Sequence, residues 1–129
     1  MATTSFRAGE SISAGQAVYV QASGLIYKAN GTNATQASVA GVAIDNGALG
    51  SLIRVQSDAV YATYSGLTPG EFRYLSILTS GQLVSYSSWA SELNSTALPG
   101  AYLTNTGRCV SASGLSVEIQ PPIFVTNPV

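Results

Sequence analysis

The chain is a succession of short apolar segments, each about the length of one β-strand, separated by glycine-containing turns. The segments are rich in Val, Ile, Tyr and Thr, which favour strands. They cover residues 16–21, 24–29, 39–44, 52–56, 59–64, 71–78, 82–87, 101–104, 108–113 and 115–120. Only residues 87–93 look helical, with Ser88 as a candidate N-cap. We therefore predict a mainly β fold, arranged as a sandwich or a small barrel.

Four sequence blocks recur in the same order in the two halves of the chain. Residues 12–20, 24–27, 39–44 and 50–56 align with residues 67–75, 81–84, 98–103 and 114–120. The alignment places Gly15, Gly41 and Gly50 over Gly70, Gly100 and Gly114. Each copy would be a hairpin, a loop and a second hairpin, and a unit of about 60 residues is marginally stable alone. We expect two duplicated β-hairpin modules, residues 9–64 and 65–129, packed into one compact domain.

Three segments fall outside this duplication. Residues 1–8 lack a strand pattern and are predicted to be a flexible arm that becomes ordered against a neighbouring chain. Residues 86–97 are a Ser/Thr-rich insertion, and the prolines at 121 and 122 limit the last segment to an edge strand. The candidate interface residues are Thr3, Thr4, Ser5, Phe6 and Arg7 in the arm, Trp89 in the insertion, and Ile123 and Phe124 near the end.

The charge pattern argues against nucleic acids and membranes as partners. Charged residues make up only 9 % of the chain, compared with roughly 25 % in typical proteins. The five basic residues are scattered, whereas phosphate backbones and anionic membranes are bound by clustered Lys and Arg. Low charge with many hydroxyl and amide side chains indicates a protein that functions against partners.

The sequence also lacks the usual catalytic groups. It contains no histidine, so neither the commonest general base nor a Ser-His or Cys-His pair is present. The single Cys109 can form no intrachain disulfide and no zinc site, and we expect it to be a small core residue. The six acidic residues are isolated from one another. We predict no enzymatic activity, no cofactor and no metal site.

The order of several short motifs resembles the small capsid decoration (cement) proteins of tailed bacteriophages. The motif residues are Gly9-Glu10, Ile12, Ala14-Gly15, Val18-Tyr19, Gly24, Tyr27-Lys28-Ala29, Val39, Gly41-Val42-Ala43, Asp45 and Val55-Gln56. The resemblance implies a β-rich module, made in the host cytoplasm, that binds the outer surface of the assembled capsid. It also implies a homotrimer at threefold positions that bridges subunits of the major capsid protein.

A different class of function is a tail-fibre or carbohydrate-binding β module. Residues 67–70 and Tyr74-Leu75 also suit some phage tail-fibre modules. A sugar site would need an exposed aromatic platform beside acids and amides. Trp89 with Glu92 and Asn94 is the candidate cluster for that site.

Overall fold

The computed structural model describes residues 3–96 and 98–126, and this part of the chain is mainly β, as predicted. Every pair of strands within it is antiparallel. The strands are β1 (Thr3–Arg7), β2 (Ala17–Val20), β3 (Ile26–Lys28), β4 (Gly41–Ala43), β5 (Leu52–Gln56), β6 (Val60–Tyr61), β7 (Phe72–Leu75), β8 (Leu83–Val84), β9 (Gly100–Leu103), β10 (Asn105–Cys109), β11 (Leu115–Val117) and β12 (Ile123–Thr126). The helices are α1 (Ala34–Ala37) and α2 (Tyr86–Ser95).

The first half of the chain forms a strongly curled sheet, sheet 1, with strand order β1-β5-β4-β2-β3. Directly after β1, Ala8 forms an isolated bridge with Ile26 of β3, so the two ends of the sheet approach each other. The curl encloses a cluster of buried side chains, here called the curled-sheet cluster: Ala8, Ile12, Val18, Ile26, Ala43, Ile53 and Val55. The sheet is not a closed barrel, because its two ends meet only at that bridge.

The second half forms sheet 2, with strand order β6-β11-β10-β7-β8. The strand order is the same in the two sheets. In this comparison the strands of sheet 2, in chain order, correspond to β1, β2, β3, β4 and β5: they are β6, β7, β8, β10 and β11. The register also matches at the centre of the sheets. Val18 of β2 lies opposite Gly41 of β4, and Arg73 of β7 lies opposite Gly107 of β10.

The backbone correspondence holds for one of the three expected glycine pairs. Gly15 and Gly70 both have positive φ, and their N–H groups donate to the carbonyls of Ala43 and Cys109. Gly41 corresponds by register to Gly107 and not to Gly100, which begins β9 in a separate two-stranded sheet. The third pair is decided by one hydrogen bond in each sheet. The Ile44 N–H donates to the Arg54 carbonyl, and the Val110 N–H donates to the Gly114 carbonyl. Gly114 therefore corresponds to Arg54 and not to Gly50.

The two sheets share their central core. Ala17 and Tyr19 of β2 pack with Leu75 of β7, and Val42 of β4 packs with residues of β10 and β11. Sheet 1 is therefore buried on both faces, by the curled-sheet cluster on one side and by sheet 2 on the other. Burial of both faces explains why the sequences of its strands are short apolar runs and not a regular alternation of apolar and polar residues.

The predicted flexible arm is an ordered strand in residues 3–7. These residues pair along β5, from Thr3 opposite Gln56 to Arg7 opposite Leu52. Phe6 packs against the curled-sheet cluster, and the Arg7 guanidinium donates to the Gly50 carbonyl at 3.1 Å. The segment is therefore an integral edge strand of its own chain. Residues 1 and 2 of the predicted arm lie outside the described residues.

The predicted insertion is largely helix α2, which begins earlier than expected. Ser85, and not Ser88, is the N-cap, and its hydroxyl accepts from the Ser88 N–H. Trp89 and Leu93, four residues apart, are buried on one helix face. They form an outer cluster with Ile77, Val84 and Ala101 on the face of sheet 2 that points away from sheet 1. Residue 97 of the insertion lies outside the described part of the chain.

Candidate functional site

Strands β9 and β12 form a separate two-stranded ribbon, here called the terminal ribbon. Ile123 and Phe124, two of the predicted interface residues, are 63 % and 51 % exposed on β12. Phe124 contacts the Tyr102 ring at a centroid separation of 5.3 Å. Within the described residues, β12 pairs only with β9, so its other edge keeps its backbone hydrogen-bonding groups available. The structure thus places these two predicted residues on an accessible apolar edge.

The predicted interface residues of the arm lie on β1, at the outer edge of sheet 1. Thr3, Thr4, Ser5 and Arg7 are exposed, whereas Phe6 is partly buried. Because β1 pairs with β5 on one side only, its second edge is also open within the described chain. This edge is polar, in contrast to the apolar edge of β12. The structure does not bring the two predicted segments into one sheet.

The predicted sugar platform around Trp89 is contradicted by the structure. Trp89 is 1 % exposed and belongs to the outer cluster, so its ring offers no surface to a ligand or an interface. The Glu92 carboxylate accepts from the Ser76 hydroxyl and from the Ile77 and Leu78 N–H groups. Glu92 therefore ties α2 to the turn after β7. The polar neighbours of Trp89 suggest a surface position, but Trp89 and Leu93, four residues apart, lie on one buried face of the helix.

A cleft of about 680 Å³ lies where the two sheets meet. One wall is the turn at residues 13–16, a second is residues 64–67, and a third is the β7–β8 turn with Arg73 beside it. Tyr64 donates its hydroxyl to the Gly15 carbonyl at 2.7 Å, and the Ala17 N–H donates to the Gly81 carbonyl at 2.9 Å. These bonds join the walls to one another, so the cleft is a fixed part of the fold.

Among the described residues, Arg73 is the one charged residue that lines this cleft. Its side chain is 16 % exposed, and its Nε is fully buried without a hydrogen-bond acceptor among the described residues. Its Nη2 lies 3.9 Å from the half-exposed Glu71 carboxylate, which is a weak, solvent-screened contact. A buried donor without a partner costs about 1–3 kcal/mol. The fold therefore maintains an unfavourable arrangement at this point.

Tyr64 adds a neutral donor at the mouth of the cleft. Burial raises the pKa of its hydroxyl far above the ordinary value, and nearby Tyr61 and Cys109 raise it further. The group is consequently protonated at all physiological pH values. Because its proton is held by the Gly15 carbonyl, Tyr64 acts as a positioning residue for the wall and leaves Arg73 as the charged group.

A second, smaller cleft of about 370 Å³ lies at the start of α2. Phe72 and Tyr86 expose their rings there, Tyr74 is partly buried beneath them, and the Tyr74 and Tyr86 centroids are 5.8 Å apart. Ser85, Ser87 and Glu71 supply hydroxyls and a carboxylate at the rim. Exposed aromatic rings beside polar groups thus occur on the protein, but they belong to Phe72 and Tyr86 and not to Trp89.

The remaining polar groups of interest serve structural roles. Arg54 donates through Nε and Nη2 to both carboxylate oxygens of Asp45, and its N–H donates to the same group. These hydrogen bonds lower the pKa of Asp45 to about 2. Cys109 is buried, as expected. In residues 3–96 and 98–126, no cluster of three potential metal ligands occurs, and neither helix has the length and apolar character needed to span a membrane.

No protein-family model and no curated protein matches this chain. The cleft around Arg73 was missed by sequence reasoning. A lone arginine in a strand carries no sign of function by itself, and the register that makes it unusual appears only when the strands are paired.

Proposed function

We propose that the protein is a non-enzymatic capsid decoration protein that binds the outer surface of a phage head and stabilises it by bridging subunits of the major capsid protein. The observation that carries the proposal is the uncharged edge of β12, with exposed Ile123 and Phe124. A strand edge of this kind pairs readily with an extended segment of another chain, and apolar side chains add affinity. The motif order of the sequence supports the same reading.

We further propose that three copies assemble at threefold positions of the shell. Among the edge strands of the described residues, β1 offers a polar edge and β12 an apolar one. Contacts through these two different edges would allow each copy to meet two neighbours, as a closed ring requires. Many weak contacts on a repeating surface add through multivalency, so each contact can be small. The virion surface is the location that this proposal implies.

The two sheets are best explained as copies of one ancestral module. Support comes from the identical strand order and from the shared environment of Gly41 and Gly107. A Cβ at Gly41 would meet the Gln56 carbonyl, and one at Gly107 would meet the carbonyl of Ser116, which has the same register position. A duplicated module with different edges gives one small chain two kinds of contact.

The test is co-sedimentation of the purified protein with assembled heads, and separately with tails, of the phage that encodes it. We expect binding to heads, and we expect Ile123→Lys to abolish it. Leu49→Lys is the matched control, because Leu49 is 71 % exposed but lies in the β4–β5 loop. Binding to tails alone, or equal binding by both variants, would refute the proposal.

A carbohydrate-binding role is the second candidate, and the aromatic cleft at the start of α2 is the observation that favours it. Exposed Phe72 and Tyr86 could stack on sugar rings, while Ser85, Ser87 and Glu71 provide hydrogen bonds. A glycan array with the parent protein and Tyr86→Ala tests this. Binding that is lost in Tyr86→Ala supports the sugar role, whereas an array without any signal leaves decoration as the function.

A further inference from the structure

The register of the two sheets identifies Arg73 as a charged residue at a core position. Val18 and Arg73 occupy equivalent places, opposite Gly41 of β4 and Gly107 of β10. In sheet 1 the surrounding space is filled by Ile12 and Ile26, both buried with Val18 in the curled-sheet cluster. One half of the molecule therefore closes this space with three apolar side chains.

In sheet 2 the corresponding space is the intersheet cleft. The turns before β2 and β7 contain equivalent backbone hydrogen bonds. The Gln16 N–H donates to the Ser13 carbonyl in the first turn, and the Glu71 N–H donates to the Thr68 carbonyl in the second. Leu67 and Ile12 each directly precede the acceptor residue of that turn, so they are equivalent. Leu83 is equivalent to Ile26, because each lies opposite the last residue of the preceding strand. Leu67 and Leu83 line the cleft, with Arg73 between them in the place of Val18.

We propose that this cleft is a binding site for a carboxylate, with the Arg73 guanidinium as its recognition group. A guanidinium presents parallel N–H donors that match the two oxygens of a carboxylate, and burial strengthens the pairing. The guanidinium has no close acceptor within the described chain, since its Nε is unpaired and its Nη2 lies 3.9 Å from the Glu71 carboxylate. Because the Nε itself is shielded from solvent, a carboxylate in the cleft would bind the Nη N–H groups of the partly exposed side chain. Ser80 and Gln82 in the adjacent turn add neutral polar groups to the lining.

Glu71 acts in the absence of ligand as a loose internal substitute. Its carboxylate is 3.9 Å from Arg73 Nη2, too long for a strong hydrogen bond, and its side chain is 46 % exposed. An incoming carboxylate can therefore displace it into solvent without breaking a buried contact. The ligand carboxylate has two possible sources, a free small anion or an Asp or Glu side chain of a partner protein, and the site does not depend on head binding.

The test is NMR observation of the arginine Nε–H resonances at pH 7. The Arg73 signal is identified by its absence in Arg73→Lys. The probes are acetate, the capped tripeptide Ac-Gly-Glu-Gly-NH₂ and its neutral counterpart Ac-Gly-Gln-Gly-NH₂, all at constant chloride. We expect a saturable shift of the Arg73 signal with the Glu tripeptide, with acetate, or with both. Arg73→Lys, followed through the cleft amides, should bind on the order of tenfold more weakly.

The outcomes separate the sources and the alternatives. A shift with acetate identifies a free small carboxylate as sufficient, and a shift with the Glu tripeptide alone identifies an acidic protein segment. Arg108→Lys, an exposed arginine on the neighbouring strand, is the control and should bind as the parent does. Equal shifts with the Gln tripeptide, or no shift with any probe, would overturn the proposal. The comparison of Glu and Gln probes uses the parent protein, so it holds even if Arg73→Lys fails to fold.

Discussion

Replacing Arg73 by valine should make the protein more stable, which is the opposite of the usual result for a partly buried residue. The substitution gives sheet 2 the residue that sheet 1 has at the equivalent position, Val18. It removes a buried Nε without an acceptor, which relieves about 1–3 kcal/mol. It also loses the long contact with Glu71, worth at most about 1 kcal/mol because that carboxylate is half exposed.

The net expectation for Arg73→Val is a gain of about 1 kcal/mol in the free energy of unfolding. For a domain of this size, that gain raises Tm by about 3 °C. A valine side chain is far smaller than the cleft of about 680 Å³, so filling of the cleft contributes nothing to this gain. Urea unfolding followed by circular dichroism measures the change, and an unchanged m-value confirms that the same structure unfolds.

The reciprocal substitution, Val18→Arg, is the control for the comparison of the two halves. Val18 is completely buried in the curled-sheet cluster, which offers no partner for a guanidinium. An uncompensated buried charge costs about 3–5 kcal/mol, a large part of the stability of a small domain. If Arg73→Val lowers the unfolding free energy by more than about 1 kcal/mol, Arg73 is a packing residue and the reasoning fails. A stable Val18→Arg protein would contradict the description of the curled-sheet cluster as a closed apolar space without a partner for a guanidinium.

Three further predictions concern helix α2 and the β4–β5 hairpin. Trp89→Ala should cost about 3–5 kcal/mol in urea unfolding, because it empties the outer cluster. Trp89→Phe should cost clearly less, since it also removes a buried indole N–H without a partner, and equal losses would contradict this. Glu92→Ala should cost at least about 2 kcal/mol, because it leaves the donors of the β7–β8 turn without their acceptor; a change near zero in thermal unfolding would refute that role. The lowered pKa of Asp45, about 2 in the folded protein, means that its stabilising effect is complete above the unfolded value of about 3.9. That effect is lost as the pH falls from about 4 to 2, so a pH series of urea midpoints should show a drop in the parent that Asp45→Asn lacks.

The positions of most strands could be predicted from the sequence because local chemistry determines them. Gly24 and Gly81 each form a turn of positive φ before a strand, and both turns were expected. The assignment of Gly100 to the first module's Gly41 failed because residues 100–103 and 105–109 are both strand-like. Only pairing with β12 or with β7 separates them, and pairing depends on packing between distant residues.

The candidate site could be predicted only in part. The exposed edge-strand position of Ile123 and Phe124 could be predicted because two prolines limit the pairing of the strand that follows them, which is a local signal. Their role in an interface stays a prediction. Trp89 was misassigned because its neighbours are polar, although Leu93, four residues later, indicated a buried helix face. The exposed Thr3, Thr4 and Ser5 obscured a strand that is stabilised by its backbone pairing with β5.

The late position of β12 in the chain has a consequence for how the protein is synthesised. Sheet 1 needs only residues up to Gln56, so it can form while the rest of the chain is still on the ribosome. The outer cluster around Trp89 stays incomplete until Val125 emerges after all other described elements. During that interval the second half exposes an apolar face, and the folded first half offers the surface on which it can assemble. Vectorial synthesis thus gives the nascent second module a preformed template that refolding from denaturant does not provide.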